Sequence, residues 1–307
     1  MQGRADVGRT PLPLDEHFDS SLETDFRIRP EEWAFLKAQT GIDDNDELKK
    51  HVVKIQADAY AIYPYPCIRL FAFIRRKLAA ISAYEQLLQL GREREGAIFL
   101  DIGCAFGGDV RRAVADGYPV QNVVASDLEP GFWRLGHELF RSTPETFPVP
   151  LVPGDAFDPA FLPPVAPCTS PPDIPRPDLQ TLTSLAPLVG HVSAIHASSL
   201  FHLFDEDKQE QLARALAGLL SPEPGSMILG MHTGLPEKGW SKGTWPGGKS
   251  SLFCHSPESW AELWDGQVFE KGTVKVETVL RAVDVSGLGL SPNDAMMYRI
   301  AWSVTRF

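Results

Sequence analysis

The sequence predicts an α/β protein with a mostly parallel sheet covered by helices, preceded by a helical N-terminal segment. Three observations predict it. From residue 97 onward, short β-rich runs alternate with helical stretches, which is the signature of strand–helix–strand units. Three of the first runs end in an acid beside a turn, at Asp101, Asp127 and Asp155. Before residue 97 the apolar residues recur instead at helical spacing.

The elements follow in order. Residues 1–25 read as a weakly structured arm, without the apolar h-region of a secretory signal. Arg29-Pro30-Glu31-Glu32-Trp33 reads as a helix start, with Pro at the first helical position and acids in the first turn. Asp46–Tyr60 places Leu48, Val52, Ile55 and Ala59 on one helical face, and Tyr63-Pro64-Tyr65-Pro66 must break it. Cys67–Leu90 then predicts one long helix through Ile68, Phe71, Ile74, Leu78, Ile81, Tyr84 and Leu88, with Gly91 as its end. The predicted strands are Ala97–Ile102, Val120–Ser126, Phe147–Val152, Val192–Ala197, Ser226–Met231, Val274–Val283 and Met297–Phe307. Helices are predicted at Val110–Asp116, Pro130–Phe140, Asp205–Leu220 and Ser256–Trp264. The last two strands are joined by a short connection and are expected to pair antiparallel.

Domain organisation follows from these elements: a cap and arm over 1–95 and one domain over 96–307. Two inserts interrupt the latter. Of 26 prolines, 12 fall between Pro144 and Pro177, and 161–178 reads as an irregular surface connection. Residues 233–255 carry five glycines with Trp240 and Trp245, after the fifth strand, and read as a lid.

Composition excludes several classes. With 29 Lys and Arg against 40 Asp and Glu, the net charge of -11 disfavours a nucleic-acid partner. The four cysteines form no CxxC pair, so reduced thiols and a cytoplasmic location are expected. No His/Cys/Asp cluster has metal spacing, so no metal is expected, and no segment approaches the roughly 18 apolar residues of a membrane span.

The chemistry lies at the strand ends. In Ile98-Phe99-Leu100-Asp101-Ile102-Gly103-Cys104-Ala105-Phe106-Gly107-Gly108 an apolar strand delivers an acid into a Gly-rich turn that opens a helix. Glycine lets backbone approach a ligand without a Cβ in the way. A pyrophosphate would suit such a turn, yet Asp101 suits a cationic amine better, and Ala105 replaces the second glycine of a dinucleotide turn. Asp127, ending the second strand, can accept from a ribose diol, with Leu128 covering an adenine face. Asp155 can accept from an adenine amine, with Ala156 or Phe157 packing the ring. An Asx turn is the plain alternative for Asp155.

Together these three motifs resemble the class I S-adenosylmethionine-dependent methyltransferases over about residues 97–232. The resemblance implies a seven-stranded Rossmann-like sheet with an N-terminal helical cap. It implies S-adenosylmethionine as cofactor and S-adenosylhomocysteine as product, held by Asp101, Gly103, Ser126, Asp127, Leu128, Asp155, Ala156, Phe157 and Ala197. Ile62-Tyr63-Pro64-Tyr65-Pro66-Cys67-Ile68, Asp127-Leu128-Glu129-Pro130-Gly131-Phe132-Trp133 and Pro148-Val149-Pro150-Leu151-Val152-Pro153-Gly154-Asp155 are similar to fungal secondary-metabolite methyltransferases. Those of meroterpenoid clusters methylate the carboxyl of a farnesylated aromatic polyketide acid, and some dimerise through the cap. A small-molecule substrate and a homodimer are therefore expected.

His196 and His202, after the fourth strand, are the candidate catalytic residues, each either a donor or base at the methyl or a satisfied structural histidine. Tyr65, His232, Trp240 and Trp245 are the candidate substrate residues. Trp260 and Trp264, four apart, read as a helix face on the core. A carboxylate acceptor needs no base, whereas a phenol or amine acceptor gains from one.

Overall fold

The structure, a computed structural model, describes residues 28–241, 251–284 and 296–307. Helix α1 (Pro30–Thr40) starts with Pro at its first position and ends at Gly41, whose φ of 68° closes the helix in the left-handed region. Helix α2 (Asn45–Ile62) is capped by Asp44, which accepts from the N–H groups of Asp46 and Glu47.

The single long helix expected over Cys67–Leu90 is absent. In its place are a short helix α3 (Pro66–Arg69), 3-10 turns at Ala72–Ile74 and Leu78–Ala80, and helix α4 (Tyr84–Glu93). The cause is long-range capture of backbone groups. The Gln56 side chain donates to the carbonyls of Ile68 and Arg69 at 3.1 and 2.7 Å, which a continuing helix would need. Asp109 accepts from the N–H of Leu78 at 2.9 Å, and Phe71 is left-handed at φ 52°. The kinked segment still buries Ile68, Phe71, Phe73 and Ile74, now against Phe106 and Phe132 of the following domain. Gly91 does not end α4. It lies inside the helix, where the Tyr118 ring takes the place of a Cβ.

The sheet holds β1 (Ile98–Ile102), β2 (Val123–Asp127), β3 (Leu151–Pro153), β4 (Val192–His196), β5 (Met227–Thr233), β8 (Val274–Asp284) and β9 (Met296–Arg306). Their order is β3-β2-β1-β4-β5-β9-β8; the first five are parallel, and β9 runs antiparallel to both neighbours. Seven strands and the antiparallel closing pair agree with expectation. Two strands are shorter than predicted. Val120–Asn122 is a 3-10 turn, and only Leu151–Pro153 of the third run pairs, because Pro148 and Pro150 lack ladder N–H groups.

Helices α4, α5 (Gly108–Ala115) and α6 (Pro130–Leu139) cover one face, burying Leu87, Val110 and Trp133 with Phe99 and Leu229. Helices α7 (Glu206–Leu219) and α8 (Pro257–Trp264) cover the other, burying Leu212 and Trp260 with Ile195 and Trp302. The 161–178 connection is irregular, as expected, but is fastened rather than loose: Phe161 and Leu162 join the core, and Arg306 donates to the Cys168 carbonyl. Within 233–255, β6 (Gly239–Trp240) and β7 (Phe253–Cys254) form a small antiparallel ladder; Trp245 and its glycine neighbours at 243, 247 and 248 lie outside the described residues. Among the described residues no helix is long and apolar enough to cross a membrane.

The junction of α6 with the turn after β1 is tight. A Cβ at Gly136 would lie 2.2 Å from the Phe106 carbonyl oxygen. Ala gains about 1 kcal/mol over Gly in a helix interior, yet here the methyl meets backbone that cannot rotate away. Gly136→Ala is therefore expected to cost about 2 kcal/mol net, read from urea unfolding; a raised midpoint would contradict the packing described.

Candidate active site

The strand order sets the site. Reading along the carboxyl edge from β3 to β5, the chain places Asp155, Asp127, Asp101, His196 and His232 in sequence, one strand apart at each step. Register makes the neighbours explicit: Asp127 is opposite Pro153, Ile102 opposite Ser126, and Asp101 opposite His196. The order reverses between β1 and β4, the place where α/β sheets open a ligand crevice.

The turn after β1 is shaped by its backbone. Gly103 and Gly107 have φ of 73° and 69°, and the Ser126 carbonyl accepts from the N–H groups of Gly103 and Cys104 at 2.8 and 3.1 Å. Ala105 is also left-handed, at φ 48°. Its side chain, though small, carries the steric cost of that region. Asp127 holds it there: Oδ2 accepts from the Ala105 N–H at 2.8 Å, and Oδ1 accepts from the Glu129 N–H at 2.9 Å. Burial pushes the Asp127 carboxyl up, and those two amides oppose the shift. Each oxygen keeps a further lone pair for a hydroxyl.

Asp101 is 2% exposed. Its Oδ1 accepts from Nδ1 of His196 at 2.8 Å, and Nε2 of His196 meets Ser198 Oγ at 2.6 Å. Ser198 Oγ also accepts from the Met231 N–H, which ties the chain of bonds to β5. Burial would lower the His196 pKa, but the charge and hydrogen bond of Asp101 outweigh it and raise the value. Both ring nitrogens are thus engaged and the ring is buried. Of the two readings of His196, this arrangement is that of a satisfied structural histidine, and its bonds join β1, β4 and β5. Ser198 was missed in sequence, where nothing marks it beyond its place two residues after His196.

His202 stands in a 3-10 turn (Phe201–Leu203) beyond β4, half-buried, with Nδ1 unpartnered among the described residues. Burial, then the charges of Arg299 and Lys77, push its pKa down to about 4. His232 is buried on β5 against Trp260, Phe201 and Trp302 at ring distances of 4.7, 5.8 and 6.0 Å. Nδ1 of His232 accepts from Trp302 Nε1 at 3.0 Å, so the proton sits on Nε2, a buried donor with no partner among the described residues. Burial, then His202 and His255, hold His232 neutral, far below the usual range. The His202 and His232 rings stack at 6.4 Å.

The remaining expected residues fall as follows. Leu128 is exposed beside Asp127. Asp155 Oδ1 accepts from the Phe157 N–H at 2.9 Å, the Asx turn, while Ala156 and Phe157 lie half-buried on the core. Ala197 is buried in the core, and its N–H donates to the Leu229 carbonyl; it lines the edge by backbone, not by side chain. Tyr65 packs on Tyr63 and Phe132 at 4.2 and 6.0 Å, joining cap to α6. Trp240 is exposed on the β6 ladder against Phe253, and Trp260 and Trp264 are core residues as expected. No group of His, Cys, Asp and Glu suited to a metal ion occurs among the described residues.

These features fit S-adenosylmethionine. A Cβ at Gly103 would crowd the Leu200 side chain at 3.3 Å, and the φ of 73° there disfavours any side chain. Asp101 keeps Oδ2 unpartnered among the described residues for an amine, and Asp127 has acceptor capacity for a diol. The sheet order and this row of carboxylates define a class I methyltransferase. Residues 21–74 match a family described as the meroterpenoid methyltransferase N-terminal domain. The chain is 30% identical over 260 residues to the Asnovolin E/Chermesin D methyltransferase nvfJ of Aspergillus novofumigatus, covering 85% of this chain and 83% of that one. It is 32% identical to the O-methyltransferase phiE of a fungal species, covering 71% of this chain and just under two thirds, 65%, of the relative. It is 29% identical to the methyltransferase ausD of Penicillium brasilianum, covering 72% and 70%. The chain belongs to the fungal meroterpenoid methyltransferase family.

Proposed function

We propose that this enzyme uses S-adenosylmethionine to form a methyl ester on the carboxyl group of an apolar, farnesylated aromatic polyketide-like intermediate in fungal meroterpenoid synthesis. The observation that supports it is the lack of a competent base among the described histidines of the site. His196 has both nitrogens engaged, His202 is held at about 4 and His232 is held neutral with Nδ1 occupied. A group of pKa near 4 is a poor acceptor for a phenolic proton of pKa about 10, whereas a carboxylic acid arrives already ionised. When bound, S-adenosylmethionine supplies a sulfonium methyl whose carbon–sulfur electron pair stays on sulfur as the acceptor oxygen takes the methyl, so no proton has to move.

The residues of this chain then bind, orient and exclude water. Asp101 receives the cofactor's amine and is held in place by His196. Asp127 receives the ribose, while Leu128, Asp155, Ala156 and Phe157 surround adenine. Ser126 and Ala197 contribute backbone. The Nε2–H of His232, unpartnered among the described residues, and the half-buried His202 offer donors to the substrate, and Tyr65 and Trp240 offer apolar walls. The cap helices and the β6–β7 ladder border the prenyl part, and a homodimer is expected, which light scattering measures.

The test is product analysis. Incubation with an apolar aromatic acid is expected to yield an alkali-labile methyl ester, and a phenol of the same skeleton to be left unmodified; methylation of the phenol alone would reject the proposal. His202→Ala should lower turnover without recovery at high pH, because no base is removed. Asp127→Ala should weaken S-adenosylhomocysteine binding by calorimetry, and unchanged affinity would reject the ribose role.

A further inference from the structure

Two arginines at the edge of this site have no carboxylate partner among the described residues. Arg299 lies on β9 opposite Thr233, the last residue of β5. Strand alternation puts Arg299, Ala301 and Ser303 on one face and Ile300, Trp302 and Val304 on the other, in the Trp260 core. The face of Arg299 is therefore the one on which Met231 and Leu229 lie and on which Leu78 and Ile81 of the cap pack. Arg75 immediately precedes this docked part of the cap, in the bend between the two 3-10 turns.

The neighbouring cations are matched by carboxylates. Arg76 faces Glu31, Lys77 faces Asp109 and Arg112 faces Asp116. Neither the Arg75 nor the Arg299 side chain has a hydrogen bond or ion pair among the described residues. Arg299 also stands directly opposite Arg281 across the β8–β9 pair, a like-charge pairing that strands avoid. Arg299 is half-buried, and burial, then Arg75 and Arg29, lower its pKa against a smaller opposing pull from Cys67. Its place opposite Thr233, one residue beyond His232 on β5, puts it at the carboxyl edge of the sheet. In a chain of net charge -11, with 40 acids available, unmatched guanidiniums at this point lack a partner that the sequence had ample means to supply.

We propose that Arg299 and Arg75 form the receptor for the substrate's carboxylate, with the planar guanidinium of Arg299 holding it in register for methylation. The proposal rests on the carboxyl-methylating reading above. It adds the determinant of acid selectivity, and it answers how an acidic protein attracts an anionic substrate: a local cationic pocket outweighs the overall field.

The experiment is calorimetric titration of the full chain, saturated with S-adenosylhomocysteine, with a prenylated aromatic carboxylic acid and with its primary amide. Wild type should prefer the acid. Arg299→Gln and Arg75→Gln should each weaken the acid by at least about 30-fold while leaving the amide and S-adenosylhomocysteine unchanged, and Arg299→Lys should recover part of the loss. Acid affinity unchanged in folded Arg75→Gln and in Arg299→Lys and Arg299→Gln would overturn the pocket while leaving ester formation intact. A wild type that binds amide and acid equally would reject the carboxyl substrate itself, and the pocket with it.

Discussion

His196→Ala is expected to lower the free energy of unfolding by about 3–5 kcal/mol, the usual loss when one member of a buried charged pair is removed. Three costs coincide. Asp101, 2% exposed, is left as a buried carboxylate without its 2.8 Å donor. Ser198 Oγ loses its 2.6 Å contact. A void opens in β4, between β1 and β5, where packing is dense. Chemical denaturation at neutral pH measures the loss, and a change below about 1 kcal/mol would show that the Asp101–His196–Ser198 chain is dispensable. Cofactor affinity should fall with it, because Asp101 is no longer oriented, and raising the pH should restore neither property.

Acid destabilisation between about pH 6.5 and pH 4 is the second large expectation. His202 and His255 are both held at about 4 by burial first, and burial likewise holds His232 well below the usual histidine range. In the unfolded chain each titrates near 6.5. A depressed value means that the unfolded state binds the proton first, so the stability contribution is present above about 6.5 and is lost as pH falls toward 4. His202 and His255 each contribute up to about 3 kcal/mol by this linkage. His196 works in the opposite direction: its raised value gives stability that is complete below about 6.5 and is lost as pH rises through the folded value. One raised histidine against five depressed ones, His137 and His191 being lowered as well, leaves a net loss in acid. Urea midpoints at pH 7.5, 6.0 and 5.0, above the range where most carboxylates titrate, should fall steadily, and His255→Gln should flatten the slope. A midpoint constant down to pH 5 would contradict the burial of these rings.

Much of the site was legible because its signals are local. An apolar strand, an acid and a glycine turn lie within a dozen residues, so Asp101, Gly103 and Asp127 needed no tertiary knowledge. The Pro run around 148–150 hid the true extent of β3, since proline removes the ladder donors that define a strand. The helix expected over Cys67–Leu90 failed for the converse reason. Its apolar spacing is genuine and its residues are buried, but Gln56 and Asp109, 12 and 31 residues away, claim the backbone groups that a helix would use. Periodicity reports which residues seek the core, not which partner takes each carbonyl.

By itself, the sequence determined the class of this protein: strand–helix alternation, three acids at successive strand ends and an N-terminal segment that must pack helically. Tertiary structure alone decided what each polar group does there. His196 reads the same in sequence as a base or as a structural residue; only the β1–β4 register puts Asp101 on one nitrogen, and only the turn into Ser198 occupies the other. Arg299, 66 positions beyond the end of β5, carries no motif, and the antiparallel return of β9 brings it to Thr233. The physical reason is common to both. A side chain's protonation and partners depend on burial and on charges within a few ångströms, and those neighbours come from strands that are distant in the chain.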